Sequence, residues 1–146
     1  MLSRKLSRTH SAGVSLVELL IAVAIVGILA AIAYPSYQAQ VRRGARTDAK
    51  AELMEAAQEL EKCFTRYGAY NNGACNAFNR INTNNRVSEG GKYRITFQNV
   101  ADPANRYVMQ AALTFGQPPD PECGILTLDE SGLRNRLGTA PMNRCW

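Results

Sequence analysis

Histidine is nearly missing from this chain: the single residue, His10, lies among the first ten of 146. Beyond it, no imidazole is present to move a proton near neutral pH or to ligate a metal. Cysteine is sparse as well, with Cys63, Cys75, Cys123 and Cys145 the whole set and no Cys-x-x-Cys pair among them. That spacing does not suit zinc. No glycine-rich phosphate loop follows a strand pattern, and no Ser or Cys stands in a nucleophile motif. These gaps argue against an enzyme, and no motif asks for a cofactor or a metal. Asp120, Glu122, Asp129 and Glu130 are the one gathering of acids that suggests calcium. Their spacing is not that of a calcium loop, and they read as a solvated rim.

What the sequence has instead is one long apolar run. From Val14 to Ala33 there are twenty residues, of which only Ser15, Glu18 and Gly27 are not apolar. As a helix at 1.5 Å per residue this run is about 30 Å long, the thickness of a bilayer's hydrocarbon core. Arg4, Lys5 and Arg8 precede it, and Gly13 stands immediately before it. A carboxylate in hydrocarbon costs about 2.5 kcal/mol or more, so Glu18 asks for a partner or a purpose. A secretory signal peptide would share the basic start and could exit at Ala31-Ile32-Ala33. Its apolar core would be shorter, however, and would lack Glu18 and Gly27. A plain single-pass anchor accounts for the length of the run but not for Gly13 followed at that spacing by Glu18.

Helical periodicity continues past Pro35. Tyr37, Val41, Ala45, Ala49, Leu53, Ala57, Leu60 and Phe64 recur at steps of three or four, with Arg42, Arg43, Arg46, Lys50, Glu52, Glu55, Glu59 and Glu61 filling most of the rest. The pattern predicts helix to about Tyr67, stopped by Gly68. Residues 68–91 contain seven asparagines and read as a polar loop with a short turn of helix around Ala77–Ile81. Three strand patterns follow: Lys92–Gln98, Arg106–Phe115 and Cys123–Asp129. Tyr93, Ile95 and Phe97 share one face of the first; Tyr107, Met109, Ala111, Leu113 and Phe115 share one face of the second. The tail to Trp146 reads as irregular, with room for one further short strand. The fold class expected is α+β, a meander of three or four antiparallel strands on the amphipathic half of a long helix.

The order of basic leader, Gly13, Val14-Ser15-Leu16-Val17-Glu18 and an apolar helix closed by Tyr34-Pro35-Ser36-Tyr37 resembles the type IV pilins. At the other end, the pattern Cys-Gly-x-Leu-x-Leu-Asp-x-x-Gly from Cys123 to Gly132, with the closing Cys145-Trp146, looks like the C-terminal part of certain minor pilins. The resemblance implies that residues 1–13 are a leader cut by a prepilin peptidase between Gly13 and Val14, and that Val14 is then N-methylated. It departs from the commoner pattern in its thirteen-residue leader and in Val14 where phenylalanine is usual. Residues 14–34 would be the membrane-spanning and filament-core helix, 35–67 the amphipathic helix of the head, 68–91 the connecting loop, and 92–146 the sheet with its C-terminal loop. Glu18 would pair with the α-amino group of Val14 on a neighbouring subunit during assembly. Gly27 and Pro35 match positions between which the family's helix can unwind, although Gly27 also suits close helix packing.

Four cysteines allow three pairings. They fit two disulfides in an oxidising compartment, which places the C-terminal part outside the cytoplasm. The positive-inside rule does not decide, because Arg42, Arg43, Arg46 and Lys50 flank the other end of the run. The resemblance favours Cys63–Cys75 and Cys123–Cys145, each closing a short, turn-rich segment. It also implies a subunit held in the inner membrane before assembly and in an extracellular pilus after it. Its partners would be other pilins, the peptidase and the inner-membrane assembly platform, in motility, adhesion or DNA uptake. Cleavage would remove His10 and three cations, leaving 14 basic against 12 acidic residues. From Lys62 onward ten basic residues face six acids, and Arg134, Arg136 and Arg144 share the C-terminal loop with Trp146. Arginines beside an aromatic can hold DNA through phosphates and stacking. A subunit contact or solvated surface is the simpler account of them and is the reading preferred here. A minor pilin is therefore expected, with a DNA-receptor pilin or a type II secretion pseudopilin as alternatives.

Overall fold

The computed structural model describes residues 14–146; the leader with His10 and Gly13 lies outside the described residues. Helix α1 runs from Leu16 to Tyr67, unbroken through Pro35. The chain divides into two units, one ending at Ala39 and the other comprising Gln40–Trp146. In the first, every large apolar side chain from Val14 to Ile32 is exposed by 54–73%. A helix apolar on all sides must be covered by lipid or by other protein. Glu18 lies in the first turn, where its charge complements the partial positive charge of the helix N-terminus.

The second unit is a head built on the rest of α1. Gly68, at φ +73°, closes the helix by donating its N–H to the Phe64 carbonyl at 2.8 Å, a left-handed terminus that glycine adopts without strain. Helix α2 (Asn76–Asn82) follows, its first turn accepting an N–H from Phe78 on the Cys75 sulfur. Five strands come next: β1 (Arg86–Val87), β2 (Tyr93–Phe97), β3 (Val108–Leu113), β4 (Leu126–Asp129) and β5 (Arg134–Arg136), with a last turn of helix, α3 (Met142–Cys145). The sheet is antiparallel throughout and ordered as in the sequence. The described residues thus form five strands where three or four were expected. The extra edge strand β1 is only two residues long and sits inside the stretch read as loop, too short to show alternation.

Ala45, Ala49, Leu53, Ala56 and Leu60 of α1 share one core with Tyr93 and Ile95 of β2, Met109 and Ala111 of β3, and Leu126 and Leu128 of β4. The register sets Tyr93 against Leu113, Ile95 against Ala111 and Phe97 against Met109, so the apolar faces of β2 and β3 coincide. Three helix positions are alanine, which lets the sheet backbone approach α1 closely. The buried stripe departs from the expected one in three places. Ala56 is buried and Ala57 only partly so, Tyr37 is exposed, and Arg46, expected on the solvent face, is buried at 3% exposure. Phe115, expected on the buried face of the second strand, is fully exposed, because β3 ends at Leu113 and a turn begins before the alternation reaches it.

Candidate nucleic-acid interface

The C-terminal loop is fixed by two features. A disulfide joins Cys123 to Cys145, and a second joins Cys63 to Cys75, leaving no free cysteine. Gly138 passes so close to the backbone of Glu122 and Cys123 that a Cβ there would fall on the Glu122 carbonyl. On this frame β5 pairs with β4 through Leu126–Arg136 and Leu128–Arg134. The Arg134 guanidinium lies over the Trp146 ring, 5.4 Å from its centroid, a cation–π geometry. The indole N–H donates to the Asn135 carbonyl at 2.8 Å, which fixes the ring against β5. Arg136 is only partly exposed and donates to the Gly138 carbonyl at 2.9 Å. Its Nε is buried without a partner among the described residues. Arg144 stands exposed on α3. Of the four residues singled out here, Arg134 and Trp146 are therefore in direct contact, Arg136 serves the loop's own structure, and Arg144 is an exposed cation whose charge reaches Glu122.

A second surface feature is a hollow of about 310 Å³ between α2 and the segment joining β2 to β3. Its walls are aromatic: Phe78 stacks on Phe97 with centroids 5.2 Å apart, and Tyr70 meets Tyr107 edge-on at 4.8 Å. Arg106 at its rim is engaged by Glu130 at 2.8 Å.

The acids offered as a solvated rim are not one. Asp120 is buried and binds Arg46 through two hydrogen bonds, of 2.6 and 2.7 Å, while Arg46 also donates to Glu122 at 2.7 Å. Burial pushes the Asp120 carboxyl up, but hydrogen bonds from Arg46 and from the Cys123 N–H outweigh it and hold the group below its ordinary range. Its charge and burial together push the nearby Tyr93 phenol up to about 12, burial contributing most. Asp129 is occupied by its own turn, accepting from Ser131 N–H at 3.0 Å and Leu133 N–H at 2.9 Å. Among the described residues no cluster of side chains has the make-up of a metal site. A second buried cation, Arg86, is bound by Glu52 at 2.6 Å and by Glu59. Sequence reasoning missed both arginines. The signal for Arg46 was present, since it stands three residues before Ala49, on the same stripe. Nothing local marks Arg86.

A long apolar N-terminal helix, an amphipathic continuation packed on an antiparallel sheet and a disulfide-closed C-terminal loop together define the pilin architecture. The family model for the type IV minor pilin ComP, DNA uptake sequence receptor, matches residues 35–127. The model for the prokaryotic N-terminal methylation motif matches residues 8–34. Among solved structures, a type IV pilin from Shewanella oneidensis is 28% identical, covering 71% of this chain and 96% of that one, at a TM-score of 0.48. The non-core minor pilin PilV of Neisseria meningitidis is 17% identical, covering 73% of this chain and 94% of that one, at a TM-score of 0.50, and shows the shared fold. A comparison with curated proteins returned no match. The chain belongs to the ComP family of type IV minor pilins. It is a type IV pilus subunit, of a family and fold that are structural, associating with other pilins after prepilin processing.

Proposed function

We propose that this minor pilin is a DNA-receptor subunit and that its C-terminal loop makes the contact. The observation that carries this is the Arg134–Trp146 pair, an exposed guanidinium of β5 lying over a partly buried C-terminal indole, on a loop held by the Cys123–Cys145 bridge. Arg144 adds a cation on the same loop. The matched family's description as a DNA uptake sequence receptor supports the reading, although the match ends at residue 127, before this loop. Guanidinium groups neutralise phosphates, while the tryptophan offers a flat apolar face beside them. Binding of duplex DNA to the full-length protein in detergent, measured by fluorescence anisotropy over a salt series, tests it. Affinity should fall linearly in log–log form with salt, and the slope should shrink by about one on Arg134→Ala. Salt-independent binding, or an unchanged slope in both Arg134→Ala and Arg144→Ala, refutes it.

The assembly chemistry rests on the other end of the chain. Cleavage between Gly13 and Val14 frees an α-amino group four residues from Glu18. In the low dielectric of a packed filament core, the carboxylate of one subunit and the amine of the next attract far more strongly than at a surface. Pairing them sets the axial position of each added subunit. Gly27 and Pro35 lower the local cost of unwinding the helix between them. The disulfides favour a periplasmic head before assembly at the inner-membrane platform.

A further inference from the structure

The turn after β3 displays Phe115 in full exposure. This turn is closed by its own hydrogen bonds: Thr114 N–H to Lys92 carbonyl at 2.9 Å, Gln117 N–H to Thr114 carbonyl at 3.2 Å, and Thr114 hydroxyl to Gly91 carbonyl at 3.0 Å. The large apolar side chain is thus held out by structure, with nothing of its own unit to cover it. At the same end of the head, Lys92, Leu113 and Pro118 border a cleft with Val41, Arg42 and Ala45, where the head's share of α1 begins. Arg42 and Lys92 are partly exposed and Arg43 is exposed. The acids nearby are Asp120, which is buried and bound by Arg46, and Asp48 and Glu89 beside the β1–β2 turn.

This end of the head is also the one tied to the apolar segment. Seven residues separate Ala33, the last of the apolar run, from Val41. Tyr34 and Tyr37 are among them, 64% and 68% exposed, residues of the kind that settle at the headgroup level of a bilayer. The order along the chain is therefore apolar span, two exposed tyrosines, two arginines, and then the cleft with Lys92 and the Phe115 turn beside it.

We propose that, before the subunit joins a filament, this end of the head rests on the anionic surface of the membrane that holds its helix. Phe115 enters the interfacial layer, and Arg42, Arg43 and Lys92 face lipid phosphates. The chemistry fits a bilayer interface: one exposed apolar side chain on a turn bonded to Lys92, beside a cleft that Arg42 and Lys92 border. The inference rests on the anchored precursor and is independent of the DNA reading.

The test uses the full chain in vesicles of phosphatidylcholine, alone or mixed with phosphatidylglycerol, carrying lipids brominated near the headgroups. Phe115→Trp and Ser131→Trp are each made in a Trp146→Phe background; Ser131 lies beyond Asp129, at the opposite end of the sheet from Leu113. Tryptophan at 115 should be quenched roughly two-fold or more above tryptophan at 131 in the anionic vesicles, and the difference should collapse when Arg42→Glu and Arg43→Glu are added or salt is raised. Flotation of the unsubstituted chain reads the anchor separately. A chain that fails to float overturns the anchor and this proposal with it. A chain that floats with equal quenching at the two positions overturns the proposal alone. Equal quenching with loss of Phe115→Ser from filaments makes the turn a contact between subunits instead.

Discussion

Replacing Arg46 by alanine removes three short charge-assisted hydrogen bonds and leaves Asp120, whose side chain is 3% exposed, ionised without its cation. What remains to it is the Cys123 N–H at 3.3 Å and the Tyr93 hydroxyl at 3.4 Å, both too long to replace a guanidinium. Breaking a buried pair from one side costs about 3–5 kcal/mol. With a urea slope of about 1.5 kcal/mol per molar, the unfolding midpoint should fall by about 2–3 M. The opposite cut is milder, because in Asp120→Asn the arginine keeps Glu122, itself partly in water; about 1.5–3 kcal/mol is expected there. The apolar double variant Arg46→Met/Asp120→Leu should recover most of the loss, since it removes the charges and their desolvation together. Urea titration of the full-length protein in detergent, followed by tryptophan fluorescence, measures all three. A loss below about 1 kcal/mol in Arg46→Ala, or a double variant as unstable as the sum of the singles, refutes the reasoning.

The same pair predicts a pH dependence. The folded-state pKa of Asp120 lies below its ordinary value of 3.8, so its contribution is fully present above that value and is lost as pH falls through the lower, folded one. Asp120→Asn should therefore flatten the acid limb of a stability–pH curve below about pH 4 and leave its neutral limb parallel to the parent; an unchanged acid limb contradicts this. Gly138→Ala, forced against the Glu122 carbonyl, should cost about 1–3 kcal/mol and loosen the C-terminal loop, seen as faster amide exchange in β5. Glu18→Ala should leave membrane insertion and leader cleavage intact while sharply reducing the variant's share of sheared filaments on immunoblots; normal incorporation would remove the pairing mechanism. Gly13→Ser should block cleavage, read as an intact-mass precursor.

Much of the architecture could be read from periodicity, and the misreadings have physical causes. The apolar run from Val14 to Ala33 and the stripe Ala49, Leu53, Leu60 were visible because hydrophobic burial follows helical spacing. The alternation in Tyr93, Ile95 and Phe97 matched strand β2 for the same reason, with a period of two. Arg46 was misassigned because its charge suggested solvent, whereas its position three residues before Ala49 suggested core, and its partner Asp120 lies 74 residues away in a proline-rich break that carries no periodicity. Arg86 was lost in the asparagine-rich connector because a buried cation is defined by the carboxylates it meets, and these stand on another element. Phe115 was misplaced by extending an alternation past the point where the chain turns. In the C-terminal loop, the aromatic and the arginines stood out by type, but only the pairing of β4 with β5 distinguished Arg134, which meets Trp146, from Arg136, which serves the backbone.

Arg86 has a further consequence for the connector between α1 and the sheet. One end of that connector is stapled to the helix by Cys63–Cys75, and the other is held to the same helix through the salt bridges of Arg86 to Glu52 and Glu59. Between the two clamps α2 sends Ala77 and Ile81 into the core, so only the outward-facing residues of this span can be exchanged while both ends stay docked on the helix. The clamps also differ in kind, one covalent and one electrostatic. A reductant acts on the first clamp and replacement of the two glutamates by glutamine on the second, so the two margins of this surface are held by independent chemistry.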